Sequence, residues 1–282
     1  MADGPSSMVC GPVFCYTLAM HTLRRLWPLW LVVVLIVVAG AFSAWALTGP
    51  RADEAALAAL GGEGGGGFYG LGYDGLGYEA VAVEQGRWLS FALAGQAPST
   101  GLILYPGARV DPRAYAVAAR MLAASGYRVV IVPMPLNLAV LGAGRADDVI
   151  VAYPEVTRWA IGGHSLGGAM AALYAYEHPE AIDGLLLWAA YPAASNDLSV
   201  RDLPVVSLYG TRDGLATPDK IAASRALLPP DAGFIAIEGG NHAGFGRYGP
   251  QAGDLQAEIS IDEQQRQVVA GTLALLERIS EQ

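Results

Sequence analysis

The chain has 282 residues, 53% of them hydrophobic and 15% charged, enough for one folded domain together with a membrane segment. With 17 basic against 26 acidic residues the formal net charge is −9, which argues against nucleic acid as a partner. The two cysteines, Cys10 and Cys15, precede the long apolar run, so the region beyond it can hold neither a disulfide, nor a cysteine nucleophile, nor a thiolate metal site. Four histidines without an H-E-x-x-H pattern make a zinc centre equally unexpected, and no metal or organic cofactor is anticipated.

Residues 1–25 read as a short N-terminal segment that ends on Arg24 and Arg25. From Leu26 to Pro50 no residue is charged, and Leu31 to Val38 is continuously aliphatic. About 20 apolar residues suffice to span a bilayer, so 26–47 reads as a single transmembrane anchor. Trp27, Trp30 and Trp45 fall near its ends, where amphipathic rings favour the interfaces. The flanking arginines place the N-terminus in the cytoplasm and the large domain outside it. The competing reading is a cleaved signal peptide ending at Ala44-Trp-Ala46, but the apolar stretch is long for one. Met20 is a second candidate start, because it directly precedes the basic flank.

Residues 48–78 read as a linker. Ala52 to Leu60 can form a short helix, and Gly61 to Gly67 is too glycine-rich for any element. A Gly-Leu-Gly-Tyr pattern occurs at 70–73 and 75–78, too few copies for a repeat fold.

Residues 79–282 carry the folded domain. Glu79 to Arg87 and Trp88 to Leu93 alternate as an antiparallel pair at a sheet edge. Strands and helices then alternate, the mark of a mostly parallel sheet covered on both faces. Thr100 to Tyr105, Tyr127 to Val132, Leu185 to Tyr191, Leu203 to Tyr209 and Phe234 to Glu238 read as strands. Asp111-Pro112 and Thr217-Pro218 open helices, and Ser260 to Glu263 is a capping box before the last one. In that helix Val268, Val269, Leu273, Leu276 and Ile279 form an apolar stripe suited to core packing.

The chemistry concentrates in three places. Gly163-His-Ser165-Leu-Gly167, with an apolar run before it and an alanine-rich helix pattern after it, has the G-x-S-x-G form of a strained strand–turn–helix elbow. A serine hydroxyl needs a base within reach, and the base needs a third group to fix its tautomer. Asp213 and His242 each lie in a Gly-containing loop just past a strand, in the chain order Ser, Asp, His. Asp197 and Asp202 are reserve acids, with Glu238 less suited because it closes its strand. His164 sits inside the elbow, where its side chain should point away from the serine hydroxyl. The oxyanion donors are expected to be the N–H groups of Leu166 and, in the turn after Tyr105, Ala108. Arg109 is expected to pair with a surface acid such as Asp111.

These segments resemble the α/β-hydrolases, and within them small membrane-anchored hydrolases with one compact domain. The matching stretches are Tyr105 to Pro112, Val132 to Asn137, Gly162 to Gly168, Leu208 to Asp213 and Gly239 to Gly246. The resemblance implies an α/β-hydrolase fold preceded by one transmembrane helix, with Ser165, Asp213 and His242 as a triad. Only Pro192 to Asp202 separates two strands where such folds commonly insert a lid. An open site walled by Pro133 to Leu141 and Tyr191 to Asn196 is therefore expected. The expected activity is that of a membrane-tethered serine esterase on a small or lipid-like acyl substrate. An acyltransferase using the same triad, or a ligand-binding module without catalysis, are the alternatives.

Overall fold

The computed structural model describes residues 12–61 and 80–282. Cys10 and the Gly-rich stretch from Glu63 to Tyr78 lie outside the described residues. The chain divides into two units, Met1–Trp45 and Ala46–Gln282.

In chain order the helices are α1 (Pro12–Leu47), α2 (Glu54–Ala58), α3 (Ala116–Ala124), α4 (Ala146–Ala152), α5 (Leu166–Glu177), α6 (Pro218–Ala223) and α7 (Ile261–Ser280). The strands are β1 (Val81–Gln85), β2 (Leu89–Leu93), β3 (Thr100–Tyr105), β4 (Arg128–Ile131), β5 (Arg158–His164), β6 (Gly184–Trp188), β7 (Val205–Gly210) and β8 (Gly233–Ile237). They form one sheet in the order β1-β2-β4-β3-β5-β6-β7-β8. The pairs β1/β2 and β2/β4 are antiparallel and every other pair is parallel. The antiparallel edge and the alternation that follows it agree with the reading of the sequence.

Within α1, Trp30–Leu47 is long and apolar enough to cross a membrane, and its side chains are almost all exposed. A signal sequence has the same length and composition.

The sheet is covered on both faces because its strands are apolar on both faces. Leu102 and Leu104 of β3 join one core with Val117 and Leu122 of α3 and Val268, Leu275 and Ile279 of α7. Ile103 and Tyr105 of the same strand join the other, with Val149 of α4 and Ala171 and Tyr174 of α5. Each fully buried aliphatic or aromatic side chain contributes roughly 1.5–3 kcal/mol. Trp188 is wholly buried at the end of β6, its indole N–H donating to Thr272 Oγ1 of α7 at 3.1 Å.

Two helix starts show how local chemistry sets the elements. Asp111 accepts the Arg113 N–H at 3.0 Å, and the chain makes a 3₁₀ turn at Pro112–Tyr115 before α3. Ser260 accepts the Glu263 N–H at 3.1 Å, but the Glu263 carboxylate receives Arg266 and Gln267. Only the serine half of the expected capping box forms, since these partners one turn on compete for the carboxylate.

The folded unit begins well before residue 79. Ala56 and Ala59 are fully buried, and Asp53 caps α2 by accepting the Ala56 N–H at 2.8 Å. The Asp53 carboxylate also meets Arg247 at 3.1 Å, and Arg247 meets Asp262 at 2.5 Å. Buried Arg120 donates to the carbonyl of Ala59 at 2.8 Å and to that of Gly61. The Pro50 carbonyl accepts the Asp111 N–H at 3.0 Å. Residues 50–61 are thus docked on the domain by two buried guanidinium groups, and the short helix expected in this part of the linker forms as α2. Removing residues 1–45 should leave this unit intact. Removing 1–78 should lower Tm by about 5 °C or more, because Arg120 and Arg247 lose acceptors and the surface that Ala56 and Ala59 cover becomes exposed. Thermal denaturation of the two truncated proteins compares them directly.

Candidate active site

Ser165 occupies the sharp turn between β5 and α5, with φ 54° and ψ −122°. A left-handed φ in a residue with a Cβ costs of order 1–3 kcal/mol and persists only where the surroundings hold it. Two close approaches hold it here. A Cβ on Gly163 would come 2.6 Å from the Tyr105 carbonyl oxygen, and one on Gly167 2.2 Å from the same atom. Only glycine at these positions lets the first turn of α5 press against the end of β3. Parallel pairing of β5 with β3 on one side and β6 on the other fixes the strand that delivers the serine.

Asp213 lies three residues past β7, and its Oδ1 accepts the N–H groups of Leu215 at 2.8 Å and Ala216 at 2.7 Å. Its Oδ2 meets His242 Nδ1 at 2.8 Å, and both side chains are almost completely buried. An ionised carboxylate only accepts, so Nδ1 carries the proton and Nε2 is left as an acceptor. His242 Nε2 is buried and makes no hydrogen bond among the described residues, the Ser165 hydroxyl included. Such bonds often tighten only when substrate is bound. Ser165 and His242 line one cavity of about 300 Å³ with Leu166, Ala169, Ala189, Ala190, Tyr191, Leu215 and Ala216.

The three sequence-predicted residues therefore meet, Asp213 pairing with His242 and Ser165 sharing its cavity. Asp197 and Asp202 are exposed and take no part. Of the expected walls only Tyr191 lines the cavity; the rest comes from the elbow, α5 and the loops after β6, β7 and β8. The Pro133–Leu141 loop instead supports the turn after β3, where the Asn137 carbonyl accepts the Arg109 N–H at 2.7 Å. Leu166 opens α5, so its N–H points out of the helix start beside the serine. Ala108 stands half-buried in the turn Pro106–Arg109, outside the residues that line the cavity. Arg109 does not pair with Asp111, whose carboxylate is held by Arg113 at 2.6 Å.

His164 has neighbours the sequence does not announce. Its Nδ1 lies 2.9 Å from Tyr115 Oη, which also accepts the Gly107 N–H at 2.9 Å. Its ring packs against that of His242, with centroids 4.5 Å apart. Burial drives the His164 pKa well below the usual 6.5, the adjacent His242 pushes the same way, and the His242 backbone pulls back only in part. His164 is neutral, and with Tyr115 donating to Nδ1 the proton sits on Nε2. Ala189, with φ 46°, adds a second strained residue at the cavity wall. No sequence pattern marks Tyr115 or Ala189 as part of the site, because the neighbours that give them a role lie far away along the chain.

Residues 101–266, more than half of the chain, match the family described as the alpha/beta hydrolase family, and the chain belongs to that family. A search of curated proteins returns no match. Among solved structures, a CIB-like hydrolase from Thermoplasma acidophilum is similar at TM-score 0.54 and 15% identity, covering 70% of this chain and 99% of that one. The thermophilic esterase Est2 from the Planctomycetes species Thermogutta terrifontis is similar at TM-score 0.50 and 13% identity, covering 72% of this chain and 93% of that one. At these identities the likeness establishes the fold.

His164 makes a testable contribution to acid sensitivity. Below about pH 6.5 the unfolded chain binds a proton there that the folded chain refuses, so stability falls as pH falls from 6.5 towards the depressed folded pKa. Above pH 6.5 both states are neutral at this site and the contribution is constant. His164→Gln should flatten the pH dependence of unfolding free energy between pH 6.5 and 5, by up to about 1.4 kcal/mol per pH unit. Urea denaturation across that range measures the slope.

Proposed function

We propose that this protein is a serine esterase working through an acyl-enzyme. His242 Nε2 takes the proton of Ser165 as Oγ attacks the ester carbonyl. Asp213 holds His242 in the required tautomer and stabilises the imidazolium that forms. The N–H group of Leu166, at the cavity, receives the oxyanion and is worth roughly 10²–10³ in rate; Ala108, in the turn after β3 and outside the cavity lining, is the proposed second donor and must be reached by the substrate's oxygen from the cavity's edge. The alcohol leaves with the proton from His242. The same histidine then activates water to release the acid and regenerate Ser165.

What carries this reading is the buried 2.8 Å contact between Asp213 and His242, with Nε2 buried and unpartnered among the described residues and His242 lining the same cavity as Ser165. A histidine placed only for packing has no need of a desolvated carboxylate on one nitrogen and an unpartnered nitrogen on the other. The lining of alanines, two leucines and Tyr191 carries no charge besides the triad, and a volume of about 300 Å³ suits a small acyl group. The apolar stretch Trp30–Leu47 of α1 supports anchoring in a membrane, and Arg24 and Arg25 before that stretch support an extracytoplasmic catalytic unit.

A fluorophosphonate probe should label Ser165, and labelling should vanish in Ser165→Ala and His242→Ala. Turnover of p-nitrophenyl esters should fall at least about 10⁴-fold in either variant. In the parent it should drop from acetate and butyrate to palmitate. Absence of an adduct on the folded parent, or retained turnover in Ser165→Ala, would overturn the assignment.

A further inference from the structure

The Asp254 side chain spans the two loops that carry Asp213 and His242. Its Oδ1 accepts the N–H of Gly214, the residue after Asp213, at 3.0 Å. Its Oδ2 accepts the N–H of Ala243, the residue after His242, at 2.8 Å. Oδ1 also accepts the N–H of Leu255 at 2.9 Å, which sets the carboxylate's own orientation. The backbone N–H of Asp254 is held by the Gln251 carbonyl at 3.2 Å. The loop that bears it lies tight against the acid loop, since a Cβ on Gly214 would come 2.5 Å from the Gly253 carbonyl oxygen.

We propose that Asp254 is a positioning residue that sets the separation of Asp213 and His242. The proposal rests on the acyl-enzyme reading above. A rigid planar carboxylate with one oxygen on each loop converts two independent surface loops into one frame. The position of Ala243 follows that of His242 directly, and Gly214 follows Asp213 in the same way. Charge-assisted hydrogen bonds from backbone N–H groups are short and strong, so the frame resists the small displacements to which proton transfer is most sensitive. Nothing about Asp254 requires it to touch substrate, as it is absent from the residues lining the 300 Å³ cavity.

The test uses the full chain in detergent micelles, with Asp254→Ala, Asp254→Asn and, as a destabilised control, Asp183→Ala. Asp183 ties β5 at the opposite end from Ser165, through Arg158 at 2.8 Å and the Trp159 N–H at 2.8 Å. Each protein is assayed well below its own Tm for fluorophosphonate labelling rate and for kcat and KM on p-nitrophenyl butyrate. Asp254→Ala should lose roughly ten- to a hundredfold in kcat and in labelling rate, with KM within about threefold of the parent. Asp254→Asn keeps one acceptor oxygen and should fall between Ala and the parent; it also carries the test should Asp254→Ala not fold. Asp183→Ala should lower Tm and keep kcat. Parent-like labelling in both Asp254 variants, or a loss of kcat in Asp183→Ala that matches theirs, overturns the proposal and leaves the acyl-enzyme reading standing. A folded parent that does not label at all overturns the reading itself, and the positioning role with it.

Discussion

The closeness of the first turn of α5 to the end of β3 is the constraint on which the site depends. Gly163 and Gly167 permit it, and the register of β5 between β3 and β6 enforces it. Because helix and strand cannot separate, Ser165 is kept at a positive φ that it would abandon in a looser setting. The strain is met by burial on both sides of the sheet, where apolar strands and helices supply the stabilisation. From this one approach follow the exposure of the Ser165 side chain at a cavity wall and the outward direction of the Leu166 N–H.

A second layer of order is polar and buried. Asp213 has three hydrogen-bond partners, two of them backbone N–H groups that stabilise its charge without adding a competing cation. His164 is handled in the opposite way. It is desolvated, given a phenol to accept from, and so kept neutral beside His242. A charged imidazole at that place would oppose the imidazolium that the proposed mechanism forms on its neighbour. The Tyr115 hydroxyl joins this ring to Gly107, which links the turn after β3 to the elbow by two contacts of 2.9 Å.

The segment between α1 and the sheet belongs to the same economy of buried charge. Arg247 and Arg120 are almost fully buried and find acceptors in residues 53–61. The chain that leaves the apolar helix is therefore structural in its own right. Its Pro50 carbonyl holds Asp111, two residues beyond the turn that carries Ala108 and Arg109.

The sequence by itself determined whatever depends on neighbours along the chain. The strands, the helix starts at Asp111 and Ser260, the elbow at Ser165 and the loops bearing Asp213 and His242 were all legible. Their signals are local: apolar runs of strand length, capping residues, and glycines where the backbone must turn. Parallel order then brings the ends of β5, β7 and β8 to one edge, so Asp213 and His242 could be placed before any coordinates. Tertiary structure alone decided which side chains support them. Tyr115 and His164 are 49 residues apart, Asp254 and Gly214 are 40 apart, and Arg247 and Asp53 are 194 apart. It also decided the cavity walls, where Ala189 and Leu215 stand in place of the Pro133–Leu141 loop. A hydrogen bond across such distances leaves no periodicity in the chain. It exists only once the packing of the sheet and its helices has chosen which surfaces meet.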